Sequence, residues 1–334
     1  MSGVATLILA GGRGDRLRPL TTRRAKPAIP FAGGALIDFT MKNCDASGLR
    51  RPIVLTQYLA ESVAAHLERR WAGSPLAPRT LSSADLGCEF RGTADAVRAA
   101  LRVLGRPRTL LVLAGDHVYA MDYRGLLRAH QFSGADATLS AVAVPCEEAC
   151  GLGVLAMGEH GCVEAFAEKP ARPPALPGRP GSCLASMGIY AFDTRALAGW
   201  LGDHPEASDF GCDVVPGMLE DGRRVFARRF TGAWRDIADL DAYHAAHMEH
   251  THGRSFLGAG VSIEPGASVS ECVLCDDVRV GGGARLHRVV AAEGTLFPAD
   301  AAPDASWGDR SPGGVLAVGW SGAPLPATLP VPLS

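Results

Sequence analysis

The chain has 334 residues, carries a formal net charge of −2, and is 47% apolar and 20% charged. That is enough apolar material for two cored domains, and too balanced a charge for a disordered chain or a protein that coats nucleic acid. No run reaches the about eighteen apolar residues that a membrane-spanning helix needs, and the nine scattered cysteines do not form a secreted disulfide framework, so a cytoplasmic protein is expected.

Val4–Ala10 reads as a strand that stops at Gly11 and Gly12. A helix is predicted over 36–47, a strand over 52–57, an amphipathic helix over Ala60–Trp71, a helix over 95–104 and a buried strand of the parallel type at Thr109–Ala114. A helix over 122–132, a strand over 137–144, a strand-like run over 162–166, a proline-rich loop over 170–180 and a strand over 186–192 follow, with helices over 195–201 and 240–249. This alternation predicts an α/β domain with a mainly parallel sheet and helices on both faces.

After Gly253 the helical period is lost. Small aliphatics recur at sixes, as in Ile263 and Val269, or Leu274, Val280 and Leu286, with glycines and Pro265 among them. A six-residue repeat suits a triangular parallel coil in which each side contributes one inward residue; an irregular glycine-rich tail is the alternative. The repeat supports about two coils. The organisation expected is an α/β domain over 1–250, a short coil over 251–300 and a Pro/Gly/Ala-rich tail over 301–334, mobile in part.

Candidate chemistry gathers at strand ends. The Gly-rich turn from Gly11 to Gly14 lets backbone N–H groups approach phosphates, and Arg13 adds forked donors. The turn matches neither the P-loop nor the dinucleotide fingerprint. Arg13 and Lys26 can face one triphosphate. Asp116 follows a predicted strand at its carboxyl end, where open α/β sheets bind ligands, and Asp236 is an available second carboxylate for a hard cation such as Mg²⁺. Glu168-Lys169-Pro170 is either a surface turn or a lysine set against a phosphomonoester. Asp209, Phe210, Gly211 and Asp213 suggest a polar recognition loop. Cys272 and Cys275 have the spacing of half a zinc site, but no second pair answers them. His244, His247 and His250 form a row on a helix expected to face solvent.

These segments resemble, in order, the motifs of sugar-nucleotide pyrophosphorylases, and among them the bacterial glucose-1-phosphate adenylyltransferases. The resemblance runs through GGRGDRLRPLTTRRAKPAIPF (11–31), IDFTMKNCDASGLRRPIVLTQY (37–58), FRGTADAV (90–97), LAGDHVYAMDY (113–123), FAEKPARPP (166–174), LASMGIYAFD (184–193), SDFGCDVVP (208–216) and AWRDIADLDAY (233–243). It implies a Rossmann-like nucleotidyltransferase domain with a mostly parallel mixed sheet, followed by a short left-handed β-helix of hexapeptide type. It implies the reaction of an NTP with a sugar 1-phosphate to give an NDP-sugar and pyrophosphate. By the same resemblance Asp116 and Asp236 hold Mg²⁺, while Arg13 and Lys26 meet the triphosphate. Gly11, Gly12, Gly14, Gly92 and Gly115 lie against the nucleotide. Lys169 grips the sugar phosphate, with Glu168, Ser186, Tyr190 and Asp213 around the ring. A homo-oligomer, dimer or tetramer, is implied, with no nucleic-acid or membrane partner.

The chain departs from the family pattern in four respects, one of them Phe90, which stands before Arg91 where the family usually has a tyrosine. Ala77 to Ser83 replaces the glutamine-containing run that reads the adenine; Cys212 stands where the family has a lysine; and the chain is shorter than usual, which weakens or removes effector regulation. ATP with glucose 1-phosphate is the leading expectation. The alternative is a C7-cyclitol phosphate such as valienol 1-phosphate, with GTP, in pseudosugar natural-product biosynthesis. A catalytically dead subunit would be expected to lose Asp116 or the Arg13/Lys26 pair, and both remain. A hexapeptide acyltransferase would need a long coil and a catalytic histidine, and His287 is the only histidine in the repeat.

Overall fold

Continuous apolar runs bounded by glycine and charge become the central strands of one sheet. The computed structural model describes residues 3–319. Among them, nine strands build the main sheet: β1 (Val4–Ala10), β2 (Ile53–Thr56), β3 (Arg79–Ser82), β4 (Thr109–Ala114), β5 (Ala137–Pro145), β6 (Gly153–Met157), β7 (Val163–Glu168), β8 (Ser182–Asp193) and β9 (Val225–Phe230). The spatial order is β7-β6-β8-β4-β1-β2-β3, with β5 pairing β8 and β9. β1 pairs in parallel with β2 and β4, β2 with β3, and β5 with β9, whereas β8 is antiparallel to β4, β5 and β6, and β7 to β6. All strands but β7 and β8 therefore run one way, so the sheet is mixed and mostly parallel. Leu7 and Ile8 of β1 and Leu110 to Leu113 of β4 are fully buried, as expected for strands covered on both faces.

The α-helices of six or more residues are α1 (Ile37–Ala46), α2 (Ala60–Trp71), α3 (Thr93–Leu101), α4 (Arg124–Ser133), α5 (Thr194–Asp203), α6 (Val215–Glu220) and α7 (Leu240–His250). Most expected elements appear within a few residues of their predicted bounds. β3, β6, β9 and α6 carry no clear period and were not expected. α7 departs from its expected setting. It turns only His250 of its histidine row to solvent: His244 and His247 are buried, and His247 packs against Phe31, Tyr243 and Phe256.

By packing, the chain divides into two compact units. One comprises residues up to Gly11, Phe39–Gly115 and Tyr119–Trp234, and the other Gly12–Asp38, Asp116–Val118 and the chain from Arg235 onward. The second unit holds the coil. Its strands pair in parallel at a spacing of 17 residues, as in Val273 with Phe256 and with Val290. Leu274, Val280 and Leu286, six apart, are its buried inward side chains, the arrangement of a left-handed β-helix. One face carries three parallel rungs plus a fourth strand, Leu316–Val318, so the coil extends past residue 300 into the segment expected as a tail. Residues 320–334 of that segment lie outside the described residues.

Candidate active site

The turn after β1 is shaped by one glycine. Gly14 adopts φ +65°, and its carbonyl accepts hydrogen bonds from Leu17 N–H and the Thr21 hydroxyl. A Cβ at Gly14 would lie 2.9 Å from Lys26 Cβ and 3.4 Å from its Cγ, so only glycine lets the Lys26 stem pass. Lys26 itself opens a one-turn 3₁₀ helix, Lys26–Ala28, whose Pro27 pre-sets the backbone. Arg13 is about two-thirds exposed and lies 3.6 Å from Asp15. Gly12 has open space where a side chain would go. Gly11 accepts a hydrogen bond from Tyr58 N–H, and a Cβ at Gly115 would strike the Leu9 carbonyl at 2.9 Å.

The short strands His117–Tyr119 and Trp234–Asp236 pair with each other, and so bring Asp116 and Asp236 together. Lys26 Nζ lies 2.7 Å from Asp116 Oδ2 and 3.6 Å from Asp236 Oδ1. His117 Nε2 lies 3.7 Å from Asp116 and 3.6 Å from Asp236. All four side chains are three-quarters or more buried. Burial alone would push the Lys26 pKa down, but Asp116 and Asp236 outweigh it and hold the ammonium above its usual range. Burial likewise pushes Asp116 up, and Lys26 and His117 reverse the sign, keeping the carboxyl below its usual range. Two carboxylates converging on one cation also suit a hard divalent ion that completes its shell with phosphate oxygens. His117 was missed by sequence reasoning, since one histidine after an aspartate carries no spacing signal.

In the first unit a second polar cluster forms around the end of β7. Glu168 closes the strand, and Lys169 adopts φ +46°, with its N–H donating to the Leu152 carbonyl. This left-handed conformation costs a non-glycine residue about 1 kcal/mol. Lys169 Nζ lies 3.3 Å from Glu168 Oε1 and is largely exposed. The Glu168 carboxylate lies against Gly211, where a Cβ would be 2.4 Å from Oε2. Asp209 accepts from Gly211 N–H (2.8 Å), Cys212 N–H (3.0 Å) and the Thr93 hydroxyl (2.9 Å), while Thr93 in turn accepts from Phe210 N–H. Thr93 and Asp209 thus tie the start of α3 to the recognition loop, a role the sequence did not reveal.

The remaining candidates fall in supporting positions. The Asp213 carboxylate turns into its own loop, accepting from the Ser208 and Asp209 N–H groups, and these bonds hold its pKa down. Tyr190 is buried in a stack with Phe192 and Phe210, and burial pushes its hydroxyl up to about 12. Ser186 sits at the β8 bulge and accepts from Gly188 N–H. A Cβ on Gly92 would meet the Ser208 carbonyl at 2.5 Å, so Gly92 permits the close approach of loop 208–213. Cys212 is exposed at the rim of this cluster, where burial and the surrounding acids raise its thiol pKa.

Residues 5–253 match the family model described as Nucleotidyl transferase, and residues 247–318 match one described as GlmU-like, C-terminal hexapeptide. A glucose-1-phosphate adenylyltransferase of Novosphingobium aromaticivorans is 35% identical, the alignment covering 87% of this chain and 88% of the relative. One from Alkalilimnicola ehrlichii is 36% identical over 93% and 92% of the two chains. One from Nitrosomonas europaea is 41% identical over 73% of this chain and 62% of its own. The first alignment runs to 371 positions, more than the 334 residues of this chain, so the relative carries insertions that this chain lacks. With a mixed, mostly parallel sheet, the motif turns in place and a hexapeptide coil following them, the chain belongs to the nucleotidyl transferase family.

Proposed function

We propose that the chain forms an NDP-sugar and pyrophosphate from an NTP and a sugar 1-phosphate, with ATP and glucose 1-phosphate as the substrates. The observation that carries this reading is the buried group of Lys26, Asp116, Asp236 and His117, supported by relatives named glucose-1-phosphate adenylyltransferase. Lys26 and Arg13 bind the triphosphate and stabilise the charge that builds on the leaving pyrophosphate. Asp116 and Asp236 hold Mg²⁺, which when bound neutralises phosphate charge. Lys169 binds the sugar 1-phosphate, and Glu168 with the 208–213 loop faces sugar hydroxyls. A phosphate oxygen of the sugar attacks the α-phosphorus, so the protein contributes position and electrostatics rather than a covalent intermediate. The protein works in the cytoplasm, in keeping with nine unpaired cysteines, and assembles as a homo-oligomer, to be measured by light scattering.

A second reading rests on Cys212. It stands where the family has a lysine, so one positive charge is missing beside Glu168, Asp209 and Asp213, which favours a sugar-like phosphate other than glucose 1-phosphate, such as a cyclitol 1-phosphate. The test is a matrix of five NTPs against glucose, mannose and valienol 1-phosphates, read by pyrophosphate release. Release with ATP and glucose 1-phosphate supports the first reading, and a preference for valienol 1-phosphate with GTP replaces it. No release from any pair removes both.

A further inference from the structure

Lys26 makes its shortest ionic contact with a carboxylate, not with solvent: Nζ sits 2.7 Å from Asp116 Oδ2 and also within ion-pair range of Asp236. The lysine therefore stands where the two carboxylates converge, the position that a divalent cation would take. We infer that Lys26 is the built-in counter-ion of the Asp116/Asp236 pair, and that it surrenders this place only when the cation arrives together with nucleotide phosphates. This inference rests on the reading of that pair as a Mg²⁺ site.

Charge decides the order of events. Without a ligand, two largely buried carboxylates face one ammonium, with the His117 ring beside them. A divalent ion approaching alone must compete with an ammonium already in contact, and among the described residues Asp116 and Asp236 are the carboxylates paired with that ammonium, so displacement costs it both. When the ion comes with a triphosphate, the ammonium can move from carboxylate to phosphate, and neither charge is left unpaired. The stem geometry permits this exchange. Gly14 leaves the Lys26 stem room at Cβ and Cγ, and the torsions beyond Cγ can carry the ammonium between partners while the backbone stays still. Nucleotide and metal should then bind cooperatively, each strengthening the other by the same factor.

The test uses Mn²⁺ as the probe on the full chain without nucleotide, with free Mn²⁺ read by electron paramagnetic resonance. Lys26→Met should bind Mn²⁺ at least tenfold more tightly than the unsubstituted protein, and Lys26→Arg, which keeps the charge, should stay weak. A thermal-shift measurement covers any loss of stability: Lys26→Met should melt lower without metal and regain its Tm with Mn²⁺, while the unsubstituted protein shifts little until nucleotide is added. If Lys26→Met binds Mn²⁺ no more tightly than the unsubstituted protein, yet both bind it with ATP present and Asp116→Asn does not, the counter-ion role is overturned and the metal site stands. If no variant binds Mn²⁺ with or without ATP, the metal site falls and the inference falls with it.

Discussion

At Gly14 two requirements meet: a left-handed backbone and bare space against the Lys26 stem. Gly14→Ala should therefore lower stability by about 1–2 kcal/mol in a denaturant titration, and should depress kcat further by pushing Lys26 off its line. Unchanged kcat would mean that the stem contact does not set the ammonium's position. Asp116 is more demanding still, because the Lys26 ammonium makes its shortest ionic contact with it. Asp116→Asn is isosteric and should fold, but turnover should fall about a hundredfold or more; near-normal turnover would remove Asp116 from the reacting centre. Asp116 was legible as a carboxylate that follows an apolar run, Lys26 from its place downstream of the Gly-rich turn and Asp236 as an available second carboxylate, and the three meet in one group. Tyr190 and Asp213 show the other side. Motif position marks them, but only packing shows one ring stacked in the core and the other carboxylate spent on its own loop.

Among elements, α3 and the loop over 208–213 act as a pair. Thr93 opens α3, donates to Asp209 and accepts from Phe210 N–H, while the N–H groups of Ala94 and Asp95 both reach the Ser208 carbonyl. Thr93→Val keeps the shape and deletes both side-chain bonds, so it should cost about 1–2 kcal/mol of stability. It should also raise KM for the sugar phosphate several-fold while changing kcat less, and Thr93→Ser should restore both. A loss in kcat alone would show that the loop serves the chemical step instead. Strands with unbroken apolar runs, such as β1 and β4, could be read from sequence because both faces are covered. β3 is a partly exposed edge strand, and β9 carries two arginines in six residues, so neither shows a period. In the coil, the six-residue spacing was readable from Leu274, Val280 and Leu286. Its length was not, because the glycines and prolines before Leu316 hide the last rung.

For the molecule as a whole, acid stability is set by histidines that folding keeps neutral. His130, His244 and His247 are all buried, and burial pushes each below its usual pKa, His247 to about 3. Neither His247 ring nitrogen completes a hydrogen bond, and the Pro30 carbonyl already accepts the Tyr243 hydroxyl. In the unfolded chain these rings take up a proton near pH 6.5. A group whose folded pKa is depressed gives its full stabilisation above the unfolded value and loses it as pH falls toward the folded one. Stability should therefore be level above about pH 7 and decline as pH falls from 6.5 toward the folded His247 value of about 3, by roughly a few kcal/mol from His247. The ion-paired and hydrogen-bonded carboxylates, Asp95, Asp116 and Asp213 among them, act in a lower window, because their folded values lie below 3.8 and their loss begins only near pH 4. The two windows can be separated by one substitution. His247→Phe fills the space between Phe31, Tyr243 and Phe256 with a ring that cannot charge. Its Tm should fall less from pH 7 to 5 than that of the unsubstituted protein, with His130 and His244 accounting for the decline that remains, and both should fall below pH 4 as the carboxylates protonate. Parallel curves across the whole range would show that His247 does not govern the acid limb.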